Sequence, residues 1–140
     1  MADVFGKHKR SQVMAHIRAT NTRPELRVRS ALHKAGFRFS LHSAKLPGKP
    51  DLVLPKYRTV IQVRGCFWHC HNCLDGHIPK SHRDYWLVKL QNNRRRDARN
   101  DRLLRRRGWS VLVVWECRCR TDAALAAQVR RISRLLRRKV

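Results

Sequence analysis

Residues 64–73, RGCFWHCHNC, put three cysteines, two histidines and two aromatic rings into ten positions. Thiolates and imidazoles are the donors zinc prefers, commonly four in a tetrahedron assembled by folding from close-spaced pairs. Cys66, His71 and Cys73 offer three from one loop. Cys117, just past the most apolar strand-like segment, is placed to become the fourth, with Cys70, Cys119 and His77 competing for places. His69 stands beside this clamp and is a candidate acid–base residue, because imidazole changes charge near neutral pH. Phe67 and Trp68 lie between a zinc ligand and polar residues, off any helix or strand stripe. Core packing is the default for such rings, and a metal-stapled loop makes stacking on a planar partner an equal alternative.

Nine acidic residues leave few candidates for a second, harder cation. Asp51 follows Pro50 and opens an apolar strand, which holds its carboxylate on rigid backbone at a sheet edge. Magnesium binds to one or two such carboxylates and keeps waters for phosphate chemistry. Glu25 and Glu116 are the other candidates, and Glu25 also fits a helix-capping box. Asp84, Asp97, Asp101 and Asp122 read as caps and surface pairs.

The charge balance names the substrate class. Thirty-three basic against nine acidic residues give a formal net charge of +24. Such a chain repels itself unless a polyanion neutralises it, and nucleic acid does so with release of counterions. No apolar run approaches the roughly 20 residues of a membrane span, and MADVFGKHKR lacks the apolar region of a secretory signal. A cytoplasmic, nucleoid-associated protein is expected, and there five cysteines point to metal rather than to disulfides.

These residues need elements to position them. A basic arm and a short helix with Val13, Met14 and Ile17 on one side are expected over 1–20. Thr22-Arg-Pro-Glu25 has capping-box spacing before an apolar stripe that ends at Gly36. Phe37, Phe39 and Leu41 alternate as a strand, DLVLP and TVIQVRG read as two more, and the cysteine-rich loop fills about 65–80. A capping-type start at Ser81–Asp84 opens a long basic helix that runs to near Gly108. WSVLVVWE is the strongest strand, and a helix over about 121–138 carries Leu125, Val129, Ile132 and Leu136 on one face. The order helix, three strands, helix, strand, helix predicts one α/β domain over 1–140, with a mixed β-sheet flanked by helices and a metal-stapled loop.

Pro50-Asp51, followed by Gln62-Val63-Arg64 on a neighbouring strand, resembles the PD…(D/E)xK nuclease superfamily, with substitutions at two places. LPGKPDLVLPKYR, GCFWHCHNC, NNRRRD at 92–97 and GWSVLVVWEC at 108–117 are more specific. Together they resemble the very short patch repair endonucleases, over about residues 5–120. The resemblance implies a restriction-endonuclease-like fold and strand-specific nicking 5′ to the thymine of a T:G mismatch left by 5-methylcytosine deamination. It implies Asp51 and the Val63 carbonyl as magnesium ligands, Glu25 acting on the ion's outer shell, His69 as acid–base residue, and Cys66, His71, Cys73 and Cys117 as a structural zinc quartet. Phe67, Trp68 and Trp86 match the aromatics that wedge beside the mismatch, Met14 approaches from the other groove, and Lys89 and Asn93 lie on the helix near it. The implied partners are mismatched double-stranded DNA, a mismatch-repair ATPase and a cytosine-5 DNA methyltransferase, with the enzyme itself a monomer.

One position departs from the pattern. The family usually has histidine where this chain has Arg64, which cannot act as a base but can stabilise phosphate charge. Two rivals follow: a nuclease of the same fold with broader mismatch or different sequence specificity, and a mismatch-binding module that does not cut.

Overall fold

The structure, a computed structural model, describes residues 21–69, 71–73 and 76–139. Residues 1–20, where the arm and the short helix with Met14 are expected, lie outside the described residues. Helix α1 spans Arg23–Lys34, strand β1 Ser40–Leu41, β2 Leu52–Leu54, β3 Thr59–Arg64, helix α2 Arg83–Arg106, β4 Ser110–Trp115 and helix α3 Asp122–Arg137. The strands form one mixed sheet in the order β1-β2-β3-β4. The first two pairings are antiparallel and β3–β4 is parallel. A parallel pair needs a crossover, and α2 supplies it. No described helix is long and apolar enough to cross a membrane.

Side-chain alternation divides the core in two. Leu52, Leu54, Ile61 and Val114 face α1 and α3, where Val28, Leu32, Ile132 and Leu136 meet them. Val53 and Val60 point the other way and pack with Leu104 of α2. Period 2 in the strands and period 3.6 in the helices thus agree on three layers.

Two glycines end helices in the same manner. Gly36 (φ 99°) follows α1, and the Phe37 N–H donates to the Leu32 carbonyl at 3.1 Å while the Gly36 N–H donates to His33 at 3.0 Å. Gly108 (φ 87°) follows α2, with Trp109 bonded to Leu104 at 3.1 Å and Gly108 to Arg105 at 3.0 Å. Each is a Schellman stop, which needs a left-handed residue that glycine fills without a Cβ clash. The first turns Phe37 into the core, which is why only Ser40–Leu41 of the expected first strand joins the sheet.

The helix starts differ from the spacing. Thr22 is the N-cap of α1, but its side chain makes no cap bond; the Glu25 carboxylate instead accepts the Asn21 N–H at 2.7 Å. Helix α2 begins at Arg83, and its N-cap is His82 in the left-handed region (φ 54°), without a side-chain cap. The expected Ser81 cap is displaced because the chain leaves the loop through His82 itself. Thr121 caps α3 as its position predicts, accepting the Ala124 N–H at 3.1 Å.

Candidate active site

Strand register brings the acidic site together. Ser40 pairs with Val53 and Leu41 with Leu52, so the next step sets His42 opposite Asp51. The His42 N–H donates to the Asp51 carbonyl at 3.3 Å. From α1, the buried Glu25 reaches the His42 ring through Oε1 and Nε2. One ligand atom from each of Glu25, His42 and Asp51 lies within 4.8 Å of the others. Asp51 Oδ2 accepts the Val63 N–H at 2.7 Å, which ties the carboxylate to β3. Burial pushes the Asp51 carboxyl up to about 6, and Glu25 adds to this; the Val63 N–H and the His42 and His69 rings pull the other way. Two carboxylates converging without a lysine or arginine among those charges form a site suited to a divalent cation.

Three residues beyond Val63, the loop is stapled to the short turn Glu116–Arg118 that follows β4. Ligand atoms of Cys66, His71, Cys73 and Cys117 all lie within 4.8 Å of one another. The Cys117 N–H points at Cys66 Sγ (3.4 Å), and Cys117 Sγ lies 3.5 Å from His71 Nδ1. Trp115 stacks on the His71 ring at 4.0 Å and 14°, fixing its plane. Burial pushes the Cys66 thiol up to about 12. Three sulfurs and one imidazole nitrogen at this spacing fit a closed zinc site, in which the thiols bind as thiolates. Cys119 packs instead in the core with α1 and α3, and Cys70 lies outside the described residues. Glu116 accepts the Cys66 N–H at 3.3 Å, so it braces the loop and stands apart from the Asp51 cluster.

Helix α2 meets the same loop with an inward row of polar residues. Asp97 Oδ2 contacts His69 Nδ1, and both side chains are mostly buried. Asp101 receives Arg64 through both carboxylate oxygens, at 2.8 and 2.9 Å. Asn93, also buried, donates from Nδ2 to the Trp68 carbonyl at 3.2 Å. Phe67, Trp68 and Trp86 form an edge-to-face trio with ring centroids 5.1–5.8 Å apart. Trp86 is only 5% exposed and backs the other two, which are half-buried. Lys89 lies half-buried on the same helix, while Arg94, Arg95, Arg99 and Arg102 are exposed and make that flank strongly positive.

Asp51, Glu25 and Val63 therefore converge, and His69 acts electrostatically on Asp51. Arg64 is drawn to α2 rather than into the acidic cluster. Three participants escape the sequence reading: His42, Asp97 and Asp101. The signal for the two aspartates was available. Trp86, Leu90, Asn93, Asp97, Asp101 and Leu104 recur at helical spacing, and polar residues on such a stripe are inward-facing.

A mixed sheet with a carboxylate at a strand end met by a second from α1, a histidine backed by a carboxylate, and a basic flank define a restriction-endonuclease-like nuclease. The family profile described as DNA mismatch endonuclease Vsr matches residues 2–75. The type II nicking enzyme V.XorIIP of Xanthomonas oryzae pv. oryzae is 48% identical over 132 residues, covering 94% of this chain and 97% of that protein. V.NmeAIP of Neisseria meningitidis serogroup A, also a type II nicking enzyme, is 44% identical, covering 96% of each. The DNA mismatch endonuclease Vsr of Escherichia coli K12 is 42% identical over 134 residues, covering 92% of this chain and 86% of that protein. The chain belongs to the Vsr DNA mismatch endonuclease family.

Proposed function

We propose that this protein nicks one DNA strand 5′ to the thymine of a T:G mismatch and so starts very short patch repair. One observation carries the reading: Phe67, Trp68 and His69 are consecutive, on the loop whose ends are fixed by the Cys/His cluster and the Asp51–Val63 bond. The aromatic wedge and the proton-handling group are thus adjacent, with the acidic cluster close enough for His69 to influence Asp51.

Asp51 and the Val63 carbonyl would hold magnesium, with Glu25 acting through its water; zinc would occupy the Cys66, His71, Cys73 and Cys117 quartet. Bound magnesium supplies Lewis-acid charge for the phosphate. Asp97 engages Nδ1 of His69, which fixes the ring and leaves Nε2 to exchange a proton with the attacking water or leaving oxygen. Phe67 and Trp68 enter the stack beside the mismatch, where unpairing costs least. Exposed arginines of α2 meet the backbone phosphates. Consistent with this reading are a cytoplasmic site of action, monomeric enzyme, a mismatch-repair ATPase as partner and a functional link to a cytosine-5 methyltransferase.

The Arg64–Asp101 pair supports a second reading. Its charges are mutually neutralised, so Arg64 offers the phosphate less than a free cation would, and a protein that binds mismatches without cutting is the competitor. Magnesium-dependent nicking of a T:G duplex, against a fully paired control and a panel of other mismatches, separates the readings. Cleavage confined to T:G is expected. Tight mismatch binding without cleavage would favour the second reading.

A further inference from the structure

The acidic cluster contains an imidazole that the magnesium scheme leaves unused. His42 is held there from two sides. Its N–H bonds to the Asp51 carbonyl at 3.3 Å, and its Nε2 meets Glu25 Oε1. It also occupies the left-handed region (φ 46°), which costs a non-glycine residue about 1–2 kcal/mol. Strain of this kind persists where the surroundings fix it and collects at functional sites. The three donor atoms, one nitrogen and two carboxylate oxygens, lie within 4.8 Å of one another.

We propose that His42 is a direct nitrogen ligand of the cation held at Asp51, with Glu25 in its outer shell, and that this nitrogen raises the site's affinity for Mn2+ relative to Mg2+. The inference rests on the reading of Asp51 as the cation centre and adds a ligand to it. Mg2+ demands near-octahedral oxygen coordination and gives up water reluctantly, so an imidazole does little for it. An added nitrogen donor favours the first-row divalent ions over Mg2+, and Mn2+, which shares the preference of Mg2+ for carboxylates, is the member that suits the rest of the site. Ligation uses the Nε2 lone pair, so the ring proton resides on Nδ1 and Nε2 exchanges its contact with Glu25 for the cation. Neither charged side chain that bonds to α2 competes for the place: Arg64 is turned to Asp101, and His69 to Asp97.

Zinc-loaded full-length protein would be titrated with Mn2+, following the free-ion EPR signal, with Mg2+ as competitor and Asp51→Ala as the blank. Pulsed EPR would then report whether nitrogen is coupled to the bound ion. The parent should show Asp51-dependent Mn2+ binding with directly coupled 14N. His42→Gln, which keeps an oxygen donor at similar reach, should lose that coupling and about ten- to hundredfold in Mn2+ affinity, with little change for Mg2+. Oxygen-only ligation in the parent, or an unchanged Mn2+/Mg2+ ratio in His42→Gln, overturns the role of His42 and leaves Asp51 as the centre. Equal binding by parent and Asp51→Ala overturns both.

Discussion

Arg64 on β3 and Asp101 on α2 form a two-oxygen ion pair, at 2.8 and 2.9 Å, between the sheet and its crossover helix. Their side chains are 12% and 11% exposed, so each charge depends on the other. Removing one partner of a buried pair costs about 3–5 kcal/mol, whereas apolar replacement of both is often neutral. Asp101→Ala should destabilise by about that amount, and Arg64→Met with Asp101→Leu should recover most of it, measured by urea unfolding. The double variant also tests chemistry. Retention of nicking there would show that Arg64 serves the fold; a further loss of about 10²–10³ in single-turnover rate would show that it also serves the phosphate.

His69 depends on Asp97 for orientation. Asp97→Asn keeps the shape but favours the wrong tautomer, and the corresponding change in a serine protease triad lowers turnover by about 10⁴. Single-turnover nicking should fall by about 10²–10⁴, while binding to a T:G duplex, followed by gel shift, stays near parental. A variant that nicks normally would remove His69 from proton transfer.

Zinc content should separate the quartet from its buried neighbour. About one zinc per chain is expected, and Cys117→Ser or Cys73→Ser should lose it. Cys119→Ser should retain it while losing about 1–3 kcal/mol for a hydroxyl buried in the core. Elemental analysis of the three purified variants decides. Zinc retained by the first two would dissolve the quartet.

Asp51 gives a pH dependence of unusual sign. Its carboxyl is raised from 3.8 to about 6, chiefly by burial, so the folded chain binds the proton more tightly than the unfolded chain does. Stability is therefore lost as pH rises from about 4 to 6, by at most about 3 kcal/mol, and the deficit is complete above that range. In magnesium-free buffer with zinc bound, Asp51→Asn should exceed the parent by about 1–3 kcal/mol at pH 8. The two should converge near pH 4. Chemical unfolding across that range checks it, and a difference that grows toward acid would contradict the burial of Asp51.

Trp68 should serve discrimination rather than chemistry. Its replacement by alanine removes a stacking surface worth about 1–3 kcal/mol per base. The affinity ratio between T:G and paired duplex should fall accordingly, whereas Asp51→Ala should leave that ratio intact. Equal ratios in parent and Trp68→Ala would place the mismatch elsewhere on the protein.

The sequence showed most clearly what local pattern governs. The seven elements appear in the expected order, and the Cys/His quartet assembles although Cys117 comes from the turn after β4, because three members already share one loop. His42 was invisible for a different reason. It meets Asp51 through the β1–β2 register, and residues 43–50 between them are no two-residue hairpin from which register can be read. Asp97 and Asp101 were masked by their arginine neighbours. A charge among charges reads as solvated surface until its place on the helix's inward stripe is counted.

The short span from Val63 to Cys66 has a mechanical meaning. Three residues of chain reach at most about 10 Å, and both ends are fixed, one by the Asp51 bond and the other by the Cys/His cluster. On the proposed reading, this span is a ruler whose far end carries the wedge and whose near end carries the blade. Substitutions on the basic flank could retune which flanking bases are tolerated. The offset between the lesion and the cut would stay fixed, because changing it requires a different length of backbone.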